Sequence, residues 1–234
     1  CLDSSDGHTD GARCGVAGRL MPVDFCPPAQ SVRVVEAAPL QPAVAAEAPG
    51  YVGSLAKTPM GWPSLSQWCV WVEPPLRVEP DRWEQRWDAS VNAALDRWSE
   101  LVPLQRVQSP ERAQVLLKRR KPPLRAVAGG WRASNGRSLL QLLEVRRREV
   151  WRFEPQVTVL VSPNLRAPVQ QATALHELGH AFGLWGHSPE PTDAMAVHQG
   201  RVPVLDLSDR DRITLKWVRD QPNDFGRSTL QGSP

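Results

Sequence analysis

Three histidines and one glutamate fall within a single twelve-residue stretch, HELGHAFGLWGH, running from His176 to His187. His176 and His180 are four residues apart. On a helix that spacing is about one turn, so both rings project from one face toward a common point. Two imidazoles so placed can share a metal ion, and zinc is the ion most often held this way. Glu177 lies roughly 100° further round the helix. From there its carboxylate cannot easily bind the same ion, but it can reach a water attached to it. Gly183 follows His180 by three residues, where a helix can stop in a left-handed cap that glycine enters without steric cost. The chain can then turn back and deliver His187 as a third ligand. Three neutral nitrogens leave zinc's fourth position for water, the arrangement of a catalytic rather than a closed structural site. The competing reading is a coincidental or purely structural cluster. The helix has independent support. Val169, Ala172, Leu175, Leu178, Gly179 and Phe182 form an apolar stripe away from the two rings, and Pro168 suits a first helical turn.

These residues resemble the metzincin clan of zinc endopeptidases, whose members carry HExxHxxGxx followed by His or Asp, then a methionine-containing turn beneath the metal. The resemblance makes Met195, in Pro191-Thr192-Asp193-Ala194-Met195, that turn methionine; a plain core residue is the other role open to it. His180 and His187 are seven residues apart rather than the clan's usual six, with Gly186 as the apparent extra, a residue that a glycine bulge can absorb. The segment GLWGHSPEPTDAM is similar to a bacterial subgroup of matrixin-like peptidases with this longer loop. His187 is therefore expected to be the third ligand, against an exposed loop histidine. Some clan members add a tyrosine just after the turn methionine. Ala196 stands there, and the one tyrosine of the chain is Tyr51, far upstream, so no tyrosine-assisted step is expected. By the same resemblance residues 196–205 line the pocket for the side chain that follows the scissile bond. His198, within that segment, reads as a loop residue.

The expected activity is zinc-dependent endopeptidase chemistry on a peptide or protein substrate, with Glu177 as general base and then general acid. Two readings from other classes stand beside it: a non-catalytic zinc-stabilised binding protein whose site is closed by a fourth protein ligand, and a lipoprotein adaptor that works through its N-terminal part. Structural calcium is left open.

Stepping outward to the whole chain, 28 basic and 25 acidic residues nearly balance, which gives no reason to expect a nucleic-acid partner. No apolar run reaches the length of a transmembrane helix, and a monomer is expected. The chain starts with Cys1, which suits either a lipid-anchored N-terminus or a trimmed one, and an extracytoplasmic setting, secreted or lipid-anchored, is expected. The four cysteines, at 1, 14, 26 and 69, lie away from the histidines and permit disulfides whose pairing is open. Arg13-Cys14-Gly15-Val16 resembles the cysteine-switch segment of matrixin propeptides, in which a thiolate fills the open zinc position; a disulfide or an unremarkable cysteine is the favoured reading of Cys14.

Residues 1–66 read as a tail or linker, Ala- and Pro-rich from Val34 to Pro49 and without sustained periodicity, with the folded domain over residues 67–234. Strands are expected at Trp68–Val72, Leu76–Val78, Ala113–Leu117, Ser138–Arg146 and Gln156–Ser162. A helix capped by Asp81 should run to about Leu101 with Trp83, Trp87, Val91, Ala94, Leu95 and Trp98 inward. A second, from Asp209 to Arg219 and capped by Ser208, should bury Ile213, Leu215 and Trp217. The basic run Lys118–Lys121 reads as a solvated strand end. This order is the one expected of the metzincin upper subdomain. The resemblance implies an α+β fold: a mixed, mostly parallel twisted sheet, a zinc helix and a small C-terminal subdomain, behind a flexible N-terminal tail. It also makes Ser138–Arg146 an edge strand lining the cleft, able to pair with a peptide backbone.

Overall fold

The structure is a computed structural model and describes residues 25–35, 39–43, 48–127, 130–198 and 200–229. Cys1 and Cys14, the candidates for a lipid anchor and a latency switch, lie outside these residues. The described chain gives strands β1 (Ser31–Val34), β2 (Gln41–Pro42), β3 (Ala56–Lys57) and β4 (Trp68–Val72), then helix α1 (Arg82–Ser99). Next come β5 (Leu104–Val107), β6 (Val115–Arg119), β7 (Arg125–Val127), β8 (Gly130–Arg132), β9 (Gly136–Arg147) and β10 (Val150–Val161). Helices α2 (Ala167–Ala181) and α3 (Asp209–Asp220) complete the order. The fold is mixed α+β. Its main sheet has six strands in the order β1-β9-β10-β6-β4-β5. The four from β10 to β5 are mutually parallel, while β9 runs antiparallel to both its neighbours. No helix among the described residues is long and apolar enough to cross a membrane.

Local chemistry explains most of the boundaries. Asp81 caps α1 by accepting from the Trp83 and Glu84 amides, and the Glu84 carboxylate accepts from the Asp81 amide in return, a full capping box. Ser208 and Asp211 do the same for α3. Helix α1 packs on α2, and two of its tryptophans use their polar edge as well as their area. The Trp87 Nε1–H donates to the Val161 carbonyl at 3.1 Å, and the Trp98 Nε1–H donates to the Leu175 carbonyl at 2.9 Å. The second bond pins α2 one residue before His176.

Several expectations need correction. Leu76–Val78 is not a strand: Pro74, Pro75 and Pro80 remove ladder donors around it, and Leu76 and Val78 are fully exposed. Trp83 is not inward; it lies at the surface in the first turn of α1, sandwiched by the Arg82 and Arg86 guanidiniums. Ile213 is half exposed; α3 buries Leu215 as expected and packs Trp217 partly buried against the core, and it adds Asp211, Thr214 and Val218. The Lys118–Lys121 run is not all solvated, since Arg119 is buried, 3.3 Å from Glu84 and over the Trp87 ring. Strand β5 was not anticipated at all.

The part of residues 1–66 that is described does not behave as a linker. Tyr51, Val52, Leu55, Trp62 and Leu65 belong to the main core. A disulfide joins Cys26 to Cys69 in β4, and β1 adds to the sheet along Leu143–Arg146 of β9. A few strong anchors spaced by prolines replace the periodic stripe that marks a helix or strand. As a result β9 is not an edge along its whole length: β1 covers its second half and leaves residues 136–141 without a partner strand on that side among the described residues.

Candidate metal centre

Helix α2 carries the first two histidines, and its C-terminus explains how the third arrives. Gly183 takes φ +116°, a backbone region that costs other residues strain. The Gly183 amide donates to the His180 carbonyl at 3.1 Å and the Leu184 amide to the Gly179 carbonyl at 2.9 Å. This bond pair is a Schellman motif, which ends the helix and reverses the chain. The same turn aims the Leu184 carbonyl at His180 Nδ1, 2.7 Å away. Beyond it, the extra glycine is where another segment crosses. A Cβ on Gly186 would lie 2.2 Å from the Ser54 carbonyl oxygen, and Ala56 donates to the Trp185 carbonyl at 2.7 Å. The longer loop is therefore paired to the chain around Leu55 rather than bulged into solvent.

The result is a cluster of three imidazoles. Ring centroids are 4.9 Å apart for His176 and His180, 5.2 Å for His176 and His187, and 5.0 Å for His180 and His187. One ligand nitrogen from each lies within 4.8 Å of the others, and among the described residues no fourth His, Cys, Asp or Glu joins the group. His198 lines the same cleft without joining it. His176 Nδ1 lies 2.9 Å from the Ala194 carbonyl, as His180 Nδ1 does near Leu184, so each ring is turned to present Nε2. Burial, chiefly, favours the neutral imidazoles that ligation requires. It pushes His176 down to about 4, and holds His180 well below and His187 below the ordinary histidine range. The donor set fits a zinc ion with one coordination position left over.

Glu177 is nearly buried beside the cluster. Its carboxylate accepts from the Ser138 hydroxyl at 2.8 Å, and Gly136 supplies the room: a Cβ there would sit 2.6 Å from Glu177 Cγ. Burial raises the Glu177 carboxyl to about 7, against the opposing pull of the Ser138 hydrogen bond and the Arg137 charge. Beneath the centre, Met195 is fully buried and touches α2 between the two helical histidines. A Cβ on Gly179 would lie 2.1 Å from Met195 Sδ. The Met195 segment is held by Asp211, which accepts from the Ala194 amide at 2.8 Å and from the Tyr51 hydroxyl at 2.7 Å. Asp193 accepts from Ser188 and from Arg210 in the same region.

His176, Glu177, His180, His187 and Met195 are thus brought together, and Ser138, Gly136, Ala194, Asp211 and Tyr51 are the supports that sequence reading missed. The centre opens into a cleft of about 670 Å³, walled by β7, β8 and the start of β9. No protein-family model matches the chain, and no curated protein matches it.

Proposed function

We propose that the chain is a zinc-dependent endopeptidase of the metzincin type, similar to matrixins. The single observation that carries this reading is the meeting of three imidazoles, joined by no fourth His, Cys, Asp or Glu among the described residues, next to a buried carboxylate in an open cleft. His176, His180 and His187 would hold the ion. When bound, zinc would supply Lewis acidity, lowering the pKa of a water toward neutrality and polarising a peptide carbonyl. Glu177 would serve as general base and then general acid, its carboxylate taking up a proton from the attacking water and releasing it to the leaving amine. Ser138 fixes the carboxylate, and the Ala194 and Leu184 carbonyls fix the ring orientations. The open stretch of β9 beside the cleft offers backbone groups to an extended peptide. The Cys26–Cys69 disulfide fits an extracytoplasmic setting.

The test is cleavage of a mixed peptide library by the parent protein and by Glu177→Gln, both analysed for zinc. The expected result is one zinc per chain in each, with turnover lower by ~10³-fold or more in the variant. Comparable cleavage by Glu177→Gln, or no cleavage by a fully zinc-loaded parent, rejects the reading.

A further inference from the structure

We infer, building on the peptidase reading, that the cleft selects acidic peptides, through Arg125, Arg132 and Arg137. All three line the cleft that holds His176, Glu177, His180 and His187, and the only acidic residue among its lining is Glu177 itself. Glu177 is buried and bonded to Ser138, and its charge is felt by Arg137, which leaves Arg125 and Arg132 as the part of the rim it does not offset. Arg125 and Arg132 are direct cross-strand partners in the β7–β8 hairpin, and both are exposed. Like charges opposite one another weaken such a pair, and a two-stranded hairpin has little stability to spare. Placed there, they fit an anion that bridges them. None of the three arginines has a carboxylate within 4 Å among the described residues. Some arginines elsewhere do: Arg33 meets Glu144, Arg147 meets Glu154, Arg210 meets Asp193 and Arg212 meets Glu100.

The positive rim is local. The whole chain carries a formal charge of only +3, so the cleft is not sharing in a generally basic surface. A concave site lined by one sign of charge concentrates its field on what enters. A peptide fits better than a nucleic acid. The register puts Trp131 opposite Ala126, on the other face of the hairpin from Arg125 and Arg132. The arginine face of the hairpin therefore presents no ring for base stacking, whereas the open part of β9 offers amides and carbonyls to an extended backbone.

The decisive measurement is binding, which does not require turnover. Zinc-loaded Glu177→Gln is titrated into labelled peptides of one length, carrying Asp and Glu or Asn and Gln at the same positions, with anisotropy as the readout. The acidic peptide should bind about tenfold more tightly at low ionic strength, and the margin should shrink as salt is added. Charge reversal by Arg125→Glu with Arg132→Glu should abolish or invert the preference while zinc content and melting temperature stay unchanged. Arg125→Gln with Arg132→Gln, which removes those two charges without reversing them, should cut the preference to the part Arg137 alone supports, and covers the case in which the reversed hairpin does not fold. Equal affinity for the two peptides, or a preference undiminished in both double variants, overturns the inference. So does a single-stranded oligonucleotide that binds as tightly as the acidic peptide. A parent protein that favours acidic peptides yet cleaves none would instead sink the peptidase reading and leave the charge selection standing.

Discussion

Ser138 donates to the Glu177 carboxylate, and Gly136, two residues earlier, leaves the space that the carboxylate side chain fills. A hydrogen bond to a charged group is worth ~1.5–3 kcal/mol. Ser138→Ala is therefore expected to lower kcat by roughly 10- to 100-fold, with zinc content unchanged. Unaltered turnover would remove Ser138 from the machinery. Gly179→Ala tests the other side of the helix. Its Cβ would meet the buried Met195 sulfur at 2.1 Å, so that either Met195 or α2 must move, at a cost of ~1–3 kcal/mol. The expected signature is a lower melting temperature together with weaker zinc binding in competition with a chelator. A melting temperature equal to the parent's would mean that the contact is slack. At this scale the pairing of His176 and His180 is legible because helical spacing alone puts them on one face. Ser138, Ala194 and Asp211 were not, because each reaches the site across a long stretch of sequence that no local pattern records.

Between residues and molecule, the turn after α2 decides whether the third histidine arrives. Gly183→Ala keeps the helix but forces a side chain into a left-handed backbone, at ~1–2 kcal/mol. It should loosen both the Leu184 carbonyl on His180 and the approach of His187. Zinc affinity is expected to fall further than thermal stability, read by chelator competition and calorimetry on the same sample. A loss confined to stability would argue that His187 reaches the centre without the Schellman turn. This element was readable in advance from one glycine at one offset. The path of the following loop was not, because Gly186 answers to a contact with Ser54 and Leu55 rather than to a local bulge. Strand β5 escaped notice for a related reason: Leu104–Val107 buries only its last residue well, so its sequence does not alternate. Leu76–Val78 alternates and is no strand, since the prolines around it prevent pairing.

Across the whole molecule, the described residues ahead of Cys69, from Cys26 and the stretch 48–66, are a structural part of the fold that holds the site rather than a lead-in to it. The Cys26–Cys69 bridge closes a span of 43 residues, and chain-entropy reasoning assigns such a loop ~4 kcal/mol. Paired Cys26→Ser and Cys69→Ser replacement should lower the denaturant midpoint accordingly, while an unchanged midpoint would show that β1 and the core residues hold the segment alone. Tyr51 links the same segment to Asp211 and so to the methionine turn. Burial, and then the Asp211 carboxylate, raise its pKa well above the ordinary value. Its contribution to stability is therefore complete below the unfolded value near 10 and is lost as pH rises beyond it. Because Tyr51 is the chain's one tyrosine, phenolate absorbance follows it alone. That signal should appear only together with unfolding; titration near pH 10 in the folded protein would contradict the buried bond. The α+β class and the mostly parallel sheet were expected through the family resemblance rather than from any local pattern, and the integration of residues 48–66 was not expected, because isolated apolar anchors between prolines carry no period. The most direct test of the whole arrangement is the X-ray absorption spectrum of the zinc-loaded parent protein. Three imidazole nitrogens and one exchangeable oxygen around a single zinc are predicted. A sulfur donor, a fourth imidazole, or a zinc that leaves His187 unbound would contradict it.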